Sequence, residues 1–456
     1  MATKSKFQAI RGTRDLLPPD TALWNRVEQT AHEVFSTFGF GEIRSPIFEL
    51  TELFARSIGI DTDVVSKEMY TFATGYDPHS MEESVPGRTL TLRPEATASV
   101  CRAYIEHNMQ QLPQPVKLYY MGPMFRRERP QKGRYRQFYQ IGAEILGGPD
   151  APAIDAELIE MLMTFFDNCG LQGTELSINS IGHAADNCRR AYVALLRAEL
   201  EKVKDKLGAD SQRRIETNPL RVLDSKLEHE QPIIEKLPRI AHHLCDECKS
   251  HYAAVKRELD LRGVKYTENW RLVRGLDYYM RTTFEITAQG LGSQNAVCGG
   301  GRYDGLVELL GGPPAKGIGF AIGEDRLILS LQEQEKAKAS RIGEMSASIT
   351  GKATVTGTLT NLSTLDVFIA WMGDKAHATA IQAAKTLRNA GFRVELPPTE
   401  QKFGKALERA SKLNSRFALI LGEDEIASGQ WTLKTLADGS QQKLTEPALL
   451  EYLRSL

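Results

Sequence analysis

VKLYYMGPMFRRERPQKGRYRQFYQIGAEIL, residues 116–146, holds two apolar runs on either side of a basic stretch. The runs VKLYYMGPMF and QFYQIGAEIL have strand composition, so the segment predicts an antiparallel hairpin with an unusually long, charged connection. In the second run, side chains two residues apart share a face. Tyr139, Ile141, Ala143 and Ile145 make one apolar face, suited to a core. Gln140, Gly142 and Glu144 make the other, and an amide beside a carboxylate on a concave sheet suits the orientation of a small polar ligand. The connection carries Arg126, Arg127, Arg129, Lys132, Arg134 and Arg136 within eleven positions, opposed only by Glu128. A charge run of this kind is usually a solvated tip. Here five of the six cations are Arg, whose planar fork fits phosphate better than solubility requires.

Upstream of the hairpin, Leu23, Val27, Ala31, Val34 and Phe35 recur at helical spacing over 20–38, with Asp20 and Thr21 as available caps. Gly39 and Gly41 end that helix before the strand-like IRSPIFE, whose Pro46 suits an edge or a bulge. TLRPEATASV (91–100) places Glu95 and Thr97 where a helix begins after Pro94. Glu95 could stabilise that helix N-terminus or receive a ligand ammonium, and the sequence leaves both open.

Downstream, 153–168 and 186–208 read as helices, and the charged, helix-rich stretch 183–262 reads as an insertion ahead of strands at 272–288. Within RLVRGLDYYMRTTFEI, Arg274 precedes a Gly and the adjacent Tyr278 and Tyr279. AVCGGGRYDGL (296–306) has three consecutive glycines, which serve either a tight turn or a close approach of backbone to ligand. Neither GxGxxG nor GxxxxGK[ST] occurs, so Rossmann and P-loop nucleotide binding are unsupported. GIGFAIGEDRLILS runs from strand into helix, with Glu324 and Arg326 at the helix start. Residues 336–364 are poor in large apolar side chains and rich in Ser, Thr, Ala and Gly, the composition of a linker. From 365 to 456 the strands LDVFIAWM, FRVEL and RFALILG alternate with helices, which predicts a small α/β domain with a largely parallel sheet.

With 456 residues, 41% of them hydrophobic and 25% charged, the chain can bury cores for two to four domains. Lys and Arg number 57 against 58 Asp and Glu, which excludes a whole-protein field that attracts nucleic acid but not a local basic site. Six scattered cysteines point to a reducing compartment. With no apolar run of membrane-spanning length and no secretory h-region at the N-terminus, a cytoplasmic protein is expected. His242, Cys245, Cys248 and His251 recur every three residues in HHLCDECKSH. On a helix that spacing rotates around the axis, so the four would not converge on one metal.

Together these segments resemble the histidyl-tRNA synthetase family of class II aminoacyl-tRNA synthetases over nearly the whole chain. RGTRDLLP is similar to the family's opening, and FGFGEIRSPIFE to its first class II motif, which builds a dimer interface. FRRERPQKGRYRQFYQIGAE is similar to the second motif and GIGFAIGEDRL to the third. LVRGLDYY and CGGGRYDGL resemble the two histidine-specific motifs. The resemblance implies an α+β architecture: an antiparallel-sheet catalytic domain over 1–335 with a helical insertion at about 183–262, a linker at 336–364, and a C-terminal α/β anticodon-binding domain at 365–456.

It further implies that Arg126, Glu128, Arg134, Glu324 and Arg326 meet ATP. Histidine would meet Glu95, Ala96, Thr97, Arg126, Gln140, Glu144, Arg274, Tyr278 and Tyr279. Arg274 and Arg126 would serve catalysis, and Arg129, Gln131 and Arg136 would meet tRNA. Ala96 stands where many relatives have Gly. The implied activity is activation of histidine by ATP, carried with Mg²⁺ and with no resident cofactor or metal, then transfer to tRNA(His) by a homodimer. Two alternatives are a class II synthetase for another amino acid and a non-catalytic regulatory paralogue of ATP phosphoribosyltransferase. The latter lacks the anticodon-binding domain and has degraded motifs.

Overall fold

The computed structural model describes residues 7–60, 62–73, 89–288, 295–349 and 365–455. They form two compact units, an N-terminal one that holds the hairpin and a C-terminal one beginning with the Val367–Trp371 strand.

The hairpin is present as Val116–Phe125 and Gln137–Leu146, antiparallel, with Leu118 opposite Glu144 and Gly122 opposite Gln140. It nucleates an eight-stranded sheet. The strand order is Gly41–Glu42, Val116–Phe125, Gln137–Leu146, Gly317–Gly323, Ala296–Arg302, Met280–Thr287, Glu175–Ser180 and Thr267–Glu268. The six interior strands pair antiparallel, and only the two short edge strands pair parallel.

The period-two reading of Gln137–Leu146 holds. Ile141, Ala143 and Ile145 enter one apolar core with Phe35 of the Asp20–Thr37 helix, Phe165 of Pro152–Asn168, Val255 of Asp246–Leu261 and Leu327 of Glu324–Ile349. Each of the large side chains among them contributes roughly 1.5–3 kcal/mol on burial. Helices thus cover one face of the sheet and leave the opposite face for polar groups.

The three glycines form part of a central strand rather than a turn, because Ala296–Arg302 pairs with strands on both sides. Their small size has a packing reason. A Cβ on Gly300 would stand 2.4 Å from both the Phe284 ring and the Gly319 carbonyl oxygen. IRSPIFE is only partly a strand. Phe48–Leu50 joins a separate three-stranded sheet with Thr89–Leu92 and Tyr70–Ala73, while Pro46 lies outside any strand. Arg93 compensates for the missing ladder there, donating to the Ser45 carbonyl at 2.9 Å and to the Pro123 carbonyl at 3.0 Å.

The insertion is helical and has its own core of Tyr192, Leu196, Leu200, Ile215, Val222 and Ile234. Its first helix is shorter than the composition suggested, Arg189–Glu201. The Glu324–Ile349 helix runs well into the stretch read as a linker. Its EQEKAKAS portion lacks core residues, yet consists mostly of strong helix formers, and a solvated helix needs no more.

In the C-terminal unit the strand order is Val394–Glu395, Val367–Trp371, Phe417–Leu421, Trp431–Thr435 and Gln441–Leu444. The first three are parallel, as the alternation predicts. The last two form an antiparallel hairpin turning near Asp438 and Gly439, so the sheet is mixed. No helix of the described residues is long and apolar enough to cross a membrane.

Candidate active site

On the face away from the covering helices, the N-terminal unit holds a cleft of about 750 Å³. Ten of the residues singled out in the sequence line it together: Glu95, Thr97, Arg126, Glu128, Arg134, Gln140, Arg274, Tyr278, Tyr279 and Arg326. They come from the hairpin, the start of the Thr97–Glu106 helix, the loop before Met280–Thr287 and the start of Glu324–Ile349.

The deep end is built on Gln140 and Glu144. Glu144 is fully buried. It accepts hydrogen bonds from the Thr97 hydroxyl at 2.7 Å, the Tyr303 hydroxyl at 2.5 Å and the Tyr120 hydroxyl at 3.5 Å. The carboxylate fits because Gly319 lies opposite it in the ladder, and any Cβ there would fall 1.6 Å from Glu144 Oε2. Burial pushes its pKa up to about 8, although the three hydroxyls pull the other way. Glu144 does not itself line the cleft; its partners Thr97 and Tyr120 do. Gln140 Oε1 is buried and has no hydrogen-bond partner among the described residues, an acceptor ready for a ligand N–H.

Glu95 realises the first of its two readings directly. Its carboxylate accepts the backbone N–H of Thr97 at 2.7 Å and of Ala98 at 3.0 Å, tying down the helix N-terminus. It also borders the cleft, so both uses are compatible. Burial raises its pKa against those bonds. Ala96 is fully buried in an apolar cluster with Val100, Cys101 and Tyr104 and is not among the cleft-lining residues. The expectation that position 96 faces the ligand is therefore corrected. Tyr278 and Tyr279 lie side by side, ring centroids 4.7 Å apart, and Tyr303 meets Tyr278 edge-on at 5.7 Å.

The cationic end is preorganised by neutral and acidic partners. Arg274 donates to Glu285 at 3.0 Å across Gly299, where a Cβ would stand 1.9 Å from the guanidinium. Arg126 donates from Nε to the Pro94 carbonyl at 2.9 Å and lies over the Phe138 ring. Arg134 meets Glu128 at 3.3 Å, and Arg326 donates to the Ala296 carbonyl at 2.5 Å. Burial, then the charge of Arg134, lowers the Arg326 pKa, as cations sharing a dry site require. Such a cluster suits a polyanion.

Glu324 is not part of this end. It is fully buried on the core side, and among the described residues no side chain or backbone group hydrogen-bonds its carboxyl oxygens. Burial and then the nearby Glu28 and Asp325 push its pKa well up. The strand's alternation accounts for it: Glu324 follows Ile322, which points into the core, while Gly323 borders the cleft. Arg326 lies within the helix that begins at Glu324, and the helical path returns it to the cleft. The neighbour Asp325 has the structural task, accepting from Arg14 at 2.7 Å and from the Tyr139 backbone at 2.8 Å, and so locks the RGTRD segment onto the hairpin.

Arg129 and Gln131 are exposed on the hairpin connection. Arg136 instead packs against Gly12 and donates to the Arg11 carbonyl at 3.2 Å. Sequence reasoning missed Tyr120, Tyr303 and Glu285. Each lies inside a quoted segment, but which neighbours it meets depends on strand register. The evenly spaced quartet does not converge: His251 faces Asp150 at 3.8 Å and Asp155 at 3.9 Å, and His242 lies in the Ile240–His242 turn.

An antiparallel sheet bearing a basic hairpin loop and a polar cleft is the layout of a class II aminoacyl-tRNA synthetase catalytic domain. The family model "Histidyl-tRNA synthetase" matches residues 12–327, and the model "Anticodon binding domain" matches 366–456. The chain is 51% identical to the histidine–tRNA ligase of Koribacter versatilis, covering 98% of this chain and 96% of that protein. It is 50% identical to that of Solibacter usitatus, covering 98% and 99%. The solved structure of apo Staphylococcus aureus histidyl-tRNA synthetase superposes with a TM-score of 0.75 at 35% identity, covering 98% of this chain and 100% of that one. The chain belongs to the histidyl-tRNA synthetase family.

Proposed function

We propose that the chain is a histidine–tRNA ligase, which joins histidine to the α-phosphate of ATP with release of pyrophosphate and then transfers it to the 3′ end of tRNA(His). The observation that carries this reading is a cleft that pairs an Arg-rich end with a buried polar end of Gln140, Glu95, Thr97 and tyrosines. The carboxylate of the amino acid is ionised at pH 7, so the first step needs no strong base. It needs two anions held in line and their charge neutralised, which preorganised Arg side chains supply.

In this reading Arg126 and Arg326 grip the nucleotide with Arg134. Arg274, braced by Glu285, reaches the α-phosphate and the substrate carboxylate. Gln140 and Glu95 receive the ammonium, with Thr97 beside them. Tyr278 and Tyr279 read the imidazole nitrogens, and Glu144 acts from behind through the Thr97 and Tyr120 hydroxyls that line the cleft. A site that hydrogen-bonds its substrate on several sides can reject analogues lacking those groups by about 10⁴–10⁵-fold. Carried with ATP, Mg²⁺ would supply further neutralisation of phosphate charge, and Glu128, on the hairpin connection, would hold it. Arg129 and Gln131 meet the acceptor end, and Arg136 holds their loop in place.

We assign catalysis to 1–335 and anticodon binding to 365–456. The match of that second segment to an anticodon-binding model counts against the regulatory paralogue. Exposed Phe48, Leu50 and Phe72 lie on the three-stranded sheet, next to exposed Ile47, an apolar patch that supports a homodimer. A cytoplasmic setting follows from the activity.

The test is ATP–pyrophosphate exchange by the purified chain with each of the twenty amino acids. Exchange with histidine alone is expected, and Arg274→Ala should abolish it without unfolding the protein. Exchange with another amino acid, or none from a folded chain with Mg²⁺ present, would overturn the reading.

A further inference from the structure

Of the four residues in HHLCDECKSH, only the two cysteines share a site, and their other partners come from 60 residues upstream. Cys245, Cys248, His183 and Cys188 present one ligand atom each, and all four atoms lie within 4.8 Å of one another. His183 Nδ1 stands 3.0 Å from Cys248 Sγ and 3.7 Å from Cys245 Sγ. Tetrahedral zinc with sulfur and imidazole ligands sets ligand–ligand edges at about 3.5–3.8 Å. All six cysteines are free thiols. We propose that His183, Cys188, Cys245 and Cys248 form a structural zinc site that fastens the helical insertion to the catalytic sheet.

The local fold brings these sulfurs together at two helix starts. Cys188 and Cys245 directly precede two helices, Arg189–Glu201 and Asp246–Leu261, so each sulfur sits at a helix N-terminus. Cys248 follows one turn into the second helix. The Cys245 backbone N–H donates to Cys188 Sγ at 3.5 Å, the kind of bond that steadies a metal-bound sulfur. Gly182 brings the two ligand-bearing segments together. Its φ is +64°, and a Cβ there would meet Cys188 Sγ at 2.7 Å. Four protein ligands fill a tetrahedron and leave no open position, so this zinc activates no water.

Its place in the fold gives the ion a structural task. The ligand-bearing segment joins the sheet through Ile181 N–H to the Arg281 carbonyl at 2.9 Å and Arg281 N–H to the Gly182 carbonyl at 2.8 Å. Arg189, next to Cys188, donates to the Tyr279 carbonyl at 2.5 Å. Tyr279 lines the cleft, and its ring also enters the insertion's core. The zinc cluster thus sits directly behind one wall of the pocket.

The test is the metal content of the full-length protein purified without chelator under reducing conditions. One zinc per chain is expected, falling to about a tenth or less in Cys245→Ser/Cys248→Ser and unchanged in the remote control Cys169→Ser. His183→Cys, which keeps four donors, should retain the metal. In case the double variant fails to fold, Co²⁺ replaces the metal in the wild-type chain. The intense visible bands of tetrahedral cobalt, with sulfur-to-metal charge transfer, are expected. Zinc absent from the wild-type protein together with only octahedral cobalt bands overturns the proposal. So does a wild-type mass two hydrogens short in the peptides holding Cys188, Cys245 and Cys248, which would reveal a disulfide. These readouts do not depend on catalytic activity.

Discussion

Replacing Gly299 by alanine separates pocket geometry from folding. Gly299 lies in a central strand, opposite Glu285 on one side and Ala321 on the other, with no positive φ to forbid a side chain. The three nearest atoms to an added Cβ all belong to the Arg274 guanidinium: Nη2 at 1.9 Å, Cζ at 2.4 Å and Nη1 at 2.6 Å. A methyl group cannot coexist with that guanidinium, but it meets only the far end of a flexible side chain. Arg274 must therefore leave Glu285 and swing by an ångström or more. Stability should change by no more than about 1 kcal/mol, since no backbone is displaced and alanine restricts the unfolded chain. Misplacing a preorganised charge by this amount costs roughly 10²–10³ in rate, about 2.7–4 kcal/mol of transition-state stabilisation. The assay is histidine-dependent ATP–pyrophosphate exchange beside urea denaturation. Gly299→Ala should lose at least a hundredfold in exchange rate at nearly unchanged midpoint, and adding Arg274→Ala should cost almost nothing further, because both changes remove the same contact. Exchange within a few-fold of wild type in Gly299→Ala would refute the role given to Arg274.

Glu144, ordinarily near 4.5 and here raised to about 8, holds a proton in the folded chain that the unfolded chain has released. Stability should therefore fall as pH rises between those values, by about 1.4 kcal/mol per unit in mid-window. Glu144→Gln should flatten that slope in urea titrations from pH 5 to 9. Arg302 is almost fully buried, with Asp155 at 2.9 Å and Asp304 at 3.0 Å. Arg302→Met strands those carboxylates and should cost about 3–5 kcal/mol, read as a lowered denaturation midpoint. Phe48→Glu with Phe72→Glu places charge in the exposed apolar patch; if the proposed homodimer forms through it, light scattering should report dimer for the wild type and monomer for the variant. A dimeric variant would place the interface elsewhere, and a monomeric wild type would refute the dimer.

Much of the fold was legible because it is local. Helical spacing placed Asp20–Thr37 and Pro152–Asn168 to within a residue or two, and strict alternation gave both the strand and the faces of Gln137–Leu146. Where reading by composition failed, a different local rule prevailed. Three glycines form a strand because the Phe284 ring leaves no room for larger residues. EQEKAKAS is a helix because its residues favour that state without burial. The Trp431–Thr435 and Gln441–Leu444 hairpin went unread, since its strands are half polar and their partners are set by the sheet.

By itself the sequence determined the alternating faces, the family motifs and ten residues that do meet in the cleft. Those patterns repeat every two or every 3.6 residues, and backbone geometry alone turns them into faces. Only the tertiary structure decided which distant groups touch. Glu324 turns to the core and Asp325 to Arg14, Ala96 points away from the ligand space, Glu144 receives three hydroxyls, and Cys245 and Cys248 find His183 and Cys188 instead of their sequence neighbours. Strand register and the approach of helices from separate segments set each of these contacts, and burial then fixes which carboxyls stay neutral and which sulfurs meet.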